Sequence, residues 1–225
     1  MTFDDLWEMY VELHQKYGKD SYKHISQLLK DAKERHRRDF FERKPDGDHE
    51  QSWRSFKGKN FEKLIQRIIT ESVEDLGMKV VNGNRLERSR NLSEELSTVK
   101  NNLMINYDEF GLHLPDVDIV VYKPETLRIV AVISSKITLR ERIAQTGYWK
   151  LKLLAYESTE HIKVYFVTPD EDGAFRASDA PKKGRAIVET ELDCTYVLTD
   201  ADFEQSGKVK LFERFIADLK RLSES

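Results

Sequence analysis

One cysteine, Cys194, five prolines and ten glycines stand among 225 residues. A lone cysteine excludes an internal disulfide framework, and no cysteine spacing supports a metal site. No apolar stretch approaches the roughly 20 residues that a bilayer-spanning helix needs. The glycine-rich signature of a phosphate-loop enzyme is missing. The six histidines, His14, His24, His36, His49, His113 and His161, fall at no spacing that would ligate zinc. The opening residues, MTFDDLWEMY, are acidic and aromatic and lack the plan of a signal peptide. The expectation is a cytoplasmic protein in a reducing compartment, with no membrane partner.

What is present is charge. The chain is 39% hydrophobic and 34% charged, with a net charge of −3. The length suits one domain with room for an insertion or a helical cap. Residues 21–67 hold 13 Lys and Arg against 8 Asp and Glu, whereas residues 157–205 hold 5 against 12. One basic region on an acidic molecule is compatible with a side that faces DNA and a back that repels it. Helical caps are often rich in Lys and Arg, so this asymmetry alone leaves both readings open.

The chain carries no internal repeat or low-complexity tract. Apolar residues at helical spacing predict helices over 3–17 and 22–43, with Gly18 as a stop between them. KPDGDHEQS (44–52) reads as a turn-rich loop. A third helix is expected over 59–76, with Phe61, Leu64, Ile65, Ile68, Ile69 and Leu76 on its buried stripe. MKVVN (78–82) reads as a strand. Residues 83–111 are polar and helix-permissive, and read as an insertion or recognition loop. Strands follow at 118–122 and 127–134, a helix at 139–156, strands at 162–167 and 194–198, and an amphipathic helix at 209–222. The fold class is therefore α/β (α+β): a helical cap over 1–50, then a core over 51–225 in which a central mixed β-sheet is flanked by helices.

The chemistry concentrates in residues 115–136, PDVDIVVYKPETLRIVAVISSK. Two aspartates, Asp116 and Asp118, open one apolar run, and Lys136 closes the next. Lys123-Pro124 breaks the first run as a hairpin turn should. Paired as a hairpin, the runs bring acid and base together at its open end. Strand alternation places Asp116, Asp118 and Val120 on one face, and Ser134 and Lys136 on one face of the next strand. Acids at a metal and a lysine at a water suit hydrolysis of a phosphodiester: the metal acts as Lewis acid, and the lysine stabilises the charged transition state. The competing structural reading is that Pro-Asp starts a strand and a terminal lysine snorkels to solvent. Glu62 lies about 60° from the centre of its helix's apolar face at 100° per residue. It is either a dipole partner for the first turn or a group that faces a site. Glu141, five residues after Lys136, could be a migrated metal ligand, but Thr138 and Glu141 match a capping box better.

With SWRSFKGKNFEKLI around Glu62 and SSKITLRERIAQTGYWK after the second run, the chain resembles a PD-(D/E)XK nuclease, and among these a type II restriction endonuclease. Gly58, Phe61-Glu62, PDVD (115–118) and SSK (134–136) carry the likeness, with ELDCTYVL (191–198) and KVYFVTPDEDG resembling later core strands. It spans roughly residues 50–222, which leaves the N-terminal cap uncovered, and it implies a restriction-endonuclease-like core. It implies Mg2+ as cofactor, bound by Asp118 or Asp116 with the Ser135 carbonyl, and Lys136 as the residue that positions water. The family's acidic residue two positions before the lysine is Ser134 here. Members with serine at that place recruit a carboxylate from a helix, and Glu62 is the candidate.

The likeness further implies double-stranded DNA as substrate, cut at a short sequence by a homodimer, with a cognate DNA methyltransferase as functional companion. Base or phosphate contacts are expected from Arg85, Arg88, Arg90, Asn101 and Asn102 in the insertion and from Arg37 and Arg38 in the cap. Arg140 and Arg142, on the first turn of the helix after Lys136, are placed for DNA phosphate or a partner subunit; Gln145, Tyr148, Trp149 and Lys150 extend it with groups that face DNA or a dimer mate, except that Trp149 reads better as packing. A Ser-Lys hydrolase built on Ser134 or Ser135 lacks the glycine-rich turn that would expose its nucleophile. A repair nuclease of the same fold and an inactive DNA-binding module are the alternatives.

Overall fold

The computed structural model describes residues 1–176 and 182–224, without the side chains of Arg140 and Glu141. Eight strands and eight α-helices are present among them. Helices α1 (Phe3–Tyr17), α2 (Ile25–Arg43) and α3 (His49–Glu74) come first, followed by strand β1 (Lys79–Asn82). Thr2 starts α1 through a capping box with Asp5, which satisfies two free helix-end donors at once. A 3-10 segment, Gly18–His24, joins α1 to α2.

Helix α3 begins ten residues earlier than its periodicity predicts, so the loop expected over 44–52 is short. The Asp48 carboxylate accepts from the Gln51 backbone N–H at 3.0 Å and caps the helix. The added turns pack His49, Trp53 and Phe56 around His36 of α2. The predictive stripe missed them because aromatic and histidine residues interrupt its aliphatic period.

Strand β4 (Ile119–Tyr122) lies between β1 and β5 (Ile129–Ser135), antiparallel to both. Beyond β5, β6 (Lys163–Thr168), β7 (Cys194–Val197) and β8 (Val209–Leu211) add in parallel, giving a six-stranded mixed sheet in the order β1-β4-β5-β6-β7-β8. Every residue of β4 and β5 is buried, as expected of central strands covered on both faces. On one face Ile119, Val121, Ala131 and Ile133 pack against Phe61, Leu64 and Ile65 of α3 and against residues of α1, α2 and α8 (Phe215–Ser223). On the other, Val120, Val132 and Phe166 meet residues of α5 (Glu94–Leu103), α6 (Arg140–Leu154) and α7 (Lys183–Glu191). Each fully buried Leu, Ile or Phe contributes about 1.5–3 kcal/mol.

Three segments add detail to the sequence pattern. Residues 83–111, helix-permissive and read as an insertion or a recognition loop, are built of helices and a hairpin. They form α4 (Gly83–Arg88), α5, and a small hairpin of β2 (Ile105–Asn106) with β3 (Leu112–His113). Leu86, Leu96, Val99 and Leu103 bury against the sheet, which commits their apolar faces to the core. Residues 209–222 are not one helix. The β-branched start pairs with β7 as β8, and α8 begins only at Phe215. At the start of α6 the N-cap is Leu139, one residue after Thr138, with no side-chain cap of its own. The Leu139 N–H donates instead to the Asp172 carboxylate at 3.2 and 3.3 Å. The Glu141 side chain lies outside the described residues. No helix among the described residues is long and apolar enough to cross a membrane.

Candidate active site

Two backbone features bring Asp118 to the sheet's open end. The Asp118 N–H donates to the Ile133 carbonyl at 3.1 Å, which extends the β4–β5 pairing by one step. Its own carbonyl accepts from the Gly83 N–H at 2.8 Å. A Cβ at Gly83 would lie 1.8 Å from the Val117 carbonyl oxygen, so only glycine lets α4 abut this strand. Asp118 is 4% exposed, and its Oδ2 accepts the Ser135 N–H at 2.6 Å.

Lys136 follows the last residue of β5. Its Nζ donates to Asp118 Oδ1 and to Glu62 Oε1, each at 2.7 Å. Glu62 comes from α3, eight residues after Arg54. Burial drives the Asp118 carboxyl up to about 6, with the Lys136 charge working against that rise and the Glu62 charge adding to it. Burial disfavours the Lys136 ammonium, but the two carboxylates outweigh it and hold the amine above its ordinary range. Lys136 therefore carries a proton at neutral pH: it is a donor and a positive charge, not a base.

A recess of about 380 Å3 opens over this cluster, lined by Arg54, Lys57, Lys59, Glu62, Ser135, Lys136 and Arg142 among others. Its lining is mostly basic, with Glu62 as its carboxylate, and the buried Asp118 lies beneath, bonded to Lys136. Two carboxylates converging on one cationic point are hard oxygen donors of the kind that suit Mg2+ and not a soft metal. No group of three His, Cys, Asp or Glu residues surrounds such a point among the described residues.

Not every expected residue reaches the recess. Asp116 is exposed, and its Oδ2 accepts from Gln145 Nε2 at 2.8 Å, away from the Lys136 contacts. Ser134 is buried and follows Val132 by strand alternation, toward the α5–α6 face, whereas Ser135 follows Ile133 toward α3. The Ser135 Oγ is buried with no hydrogen-bond partner. Among the arginines, Arg142 lines the recess. Arg37, Arg38, Arg85, Arg88 and Arg90 are not among the residues that line it, and the Arg140 side chain lies outside the described residues. Asn102 donates to the Leu127 carbonyl at 3.0 Å, and Asn101 lines the same hollow, at the end of β5 remote from Lys136. Lys150, expected to face DNA or a dimer mate, is buried and paired with Asp193 at 2.7 Å. Trp149 packs against the core, and Tyr148 is exposed with its hydroxyl 3.0 Å from that of Tyr107.

Residues that the sequence did not single out are Arg54, Lys57 and Lys59 at the rim. Their signal is the i, i+3 spacing of Arg54 and Lys57 on one helical face, legible only once α3 is known to start at His49. Glu171, which pairs with Lys57 at 3.2 Å, and Asp172 come from the acidic segment after β6. Asp170 anchors that segment at φ 53, accepting the N–H groups of Ala174 (2.7 Å) and Phe175 (3.1 Å).

The family model described as BsaWI restriction endonuclease type 2 matches residues 95–218. Over 214 residues the chain is 39% identical to a protein of Methanocaldococcus jannaschii named by inference as type II restriction enzyme MjaVIP, covering 89% of this chain and 93% of that one. The chain belongs to the BsaWI family of type II restriction endonucleases. Its enzyme class is that of the site-specific deoxyribonucleases. A Helicobacter pylori protein named by inference as type II restriction enzyme HpyAORF263P is 34% identical over 125 residues, 56% of this chain and 64% of that one. The structure of specific restriction endonuclease AgeI in complex with DNA superposes with a TM-score of 0.54 at 14% identity, covering 96% of this chain and 91% of that one. That likeness bears on the fold. The restriction endonuclease thus has its sheet and flanking helices in an arrangement shared with a solved enzyme of the same class.

Proposed function

We propose that this restriction endonuclease hydrolyses double-stranded DNA at a short specific sequence, with Mg2+ as cofactor and Asp118, Glu62 and Lys136 as its active residues. The observation that carries the reading is the Lys136 ammonium set between two carboxylates under a basic rim. Asp118 and Glu62 would hold the ion, with the Ser135 carbonyl as a further oxygen donor. When bound, the ion supplies Lewis acidity at the phosphoryl oxygen and lowers the pKa of bound water. Glu62 takes the place of the acid missing at Ser134, because it reaches the same ammonium as Asp118. Lys136, protonated, hydrogen-bonds the attacking water and offsets the charge that develops on the phosphate. Arg54, Lys57, Lys59 and Arg142 orient the sugar-phosphate backbone, a positioning role without sequence content. Asp116 and Gln145 form a pair outside the Lys136 cluster.

A short palindromic sequence presents two identical scissile phosphates, so a two-fold homodimer is the matching assembly. Such an enzyme needs a cognate methyltransferase to protect host sites, and a cytoplasmic location fits both. The test is incubation with phage DNA and Mg2+, followed by sequencing of the fragment ends. Discrete fragments sharing one terminal sequence, lost in Lys136→Ala, are expected. Intact DNA or a smear sinks the reading, and cleavage restricted to ends or junctions would assign the fold to repair.

A further inference from the structure

Beside the active-site recess lies a second one, of about 530 Å3, between helices α2 and α3 and the loops that follow β6 and β7. Lys30 and Lys33 of α2 and Arg54 and Lys57 of α3 line one wall, and Arg176 stands on the other. Arg54 and Lys57 line both recesses, so the two are one continuous trench. On each helix the paired cations stand three residues apart, on a single face. Arg54 and Glu62 are eight residues apart on α3, about 12 Å along its axis. The trench therefore runs from the Lys136 cluster toward the N-terminal helices.

The acids around the trench explain its polarity. Glu50 is paired with Lys33 at 2.8 Å, and Glu171 with Lys57 at 3.2 Å. The buried Asp170 carboxylate is committed to backbone N–H groups. Asp200 and Asp202 line the loop wall opposite α2 and α3. No ion pair engages Arg54 or Lys30 among the described residues. The helical wall carries four cations against Glu50, and the loop wall sets Asp200 and Asp202 beside Arg176, so a polyanion is drawn toward the helical side. That confines it to a single track leading into the active site.

We infer that this trench seats the phosphates of the DNA strand flanking the cut, about two to four nucleotides from the scissile bond at 3.4 Å of rise per nucleotide. The inference rests on the nuclease reading. It makes the N-terminal helices a backbone clamp rather than a bystander cap. Glu171 holds the place of a phosphate on Lys57 until DNA displaces it. Sugar-phosphate recognition by Lys and Arg releases counterions, so binding in the trench is salt-dependent and indifferent to sequence.

The experiment measures binding of the full chain, in EDTA, to a fluorescein-labelled random-sequence duplex of about 30 base pairs, three turns of DNA, over a salt series. Lys30→Ala/Lys33→Ala and Arg54→Ala/Lys57→Ala should each raise Kd about tenfold and flatten the salt slope by about 1.8, or 0.9 for each phosphate left without its cation. Glu171→Gln should lower Kd severalfold, a gain that misfolding cannot produce. Unchanged Kd and slope in both double variants overturns the trench, as does Glu171→Gln with no gain. If the wild type cleaves phage DNA while those variants bind as it does, the trench falls and the nuclease reading stands. If the wild type neither binds nor cleaves, both fall.

Discussion

Glu62 and Asp118 meet at one nitrogen: Lys136 Nζ lies 2.7 Å from a carboxylate oxygen of each. One carboxylate comes from a helix and the other from the start of a strand, and neither is fully exposed to solvent. Holding both ionised beside a single ammonium leaves one negative charge in excess, which a divalent cation is suited to offset.

The buried Asp118 should therefore control metal affinity. Burial lifts its carboxyl to about 6, so the ligand form is present above that pH and is lost as pH falls through it. Titration calorimetry should show Mg2+ binding weaken between pH 7 and pH 5 as protons compete with the ion. Asp118→Asn should abolish the binding heat and lower cleavage by at least about 100-fold. Binding heat that persists in the variant would remove Asp118 from the site.

Glu62, not Ser134, should stand in for the missing acid. Glu62→Gln is expected to lower cleavage by about 100-fold or more and to weaken Mg2+ binding, whereas Ser134→Ala should change both little. Circular dichroism of each variant separates loss of site from loss of fold. The reverse ranking would place the missing ligand on β5.

Asp172 should matter to α6 and Thr138 should not. The Asp172 carboxylate takes the Leu139 N–H at the start of the helix that carries Arg142. Asp172→Ala should cost about 1 kcal/mol in urea unfolding, as loss of a helix cap does, and Thr138→Ala should lie within about 0.5 kcal/mol of wild type. Equal costs would restore the capping box.

His36 should make stability fall in acid. It is 5% exposed, and burial, reinforced by nearby His49, holds its pKa below the ordinary imidazole value. The unfolded chain thus takes up a proton on this group as pH drops through about 6.5, while the folded chain resists it. Stability is full above that pH and declines below it. The urea midpoint should drop from pH 7.5 to pH 5.5, and His36→Phe should reduce that drop. An unchanged pH profile in the variant would assign the loss to other groups.

Much of the frame was legible in the order of residues. The unbroken apolar runs at β4, β5 and β6 needed no partner to be recognised, because strands buried on both faces carry no polar alternation. Asp118 and Lys136 were legible because they flank two such runs. Less legible was α3: its first turns are held by an aromatic and histidine cluster with α2, and such packing leaves no aliphatic period. The packing of 83–111 was hidden for a related reason, since Leu86, Leu96, Val99 and Leu103 are sparse among polar neighbours.

The sequence by itself determined that a carboxylate and a lysine would flank the open end of a buried hairpin, since short-range pairing and strand periodicity suffice for that. It also carried the likeness that names the enzyme class. Only the tertiary structure decided that Glu62 meets Lys136 beside Asp118, that Asp116 turns to Gln145 instead, and that Arg54 and Lys57 line the recess with Glu62 and Lys136. Those relationships depend on where a helix docks on a sheet. Docking is set by the summed burial of many distant apolar side chains, which no local pattern records.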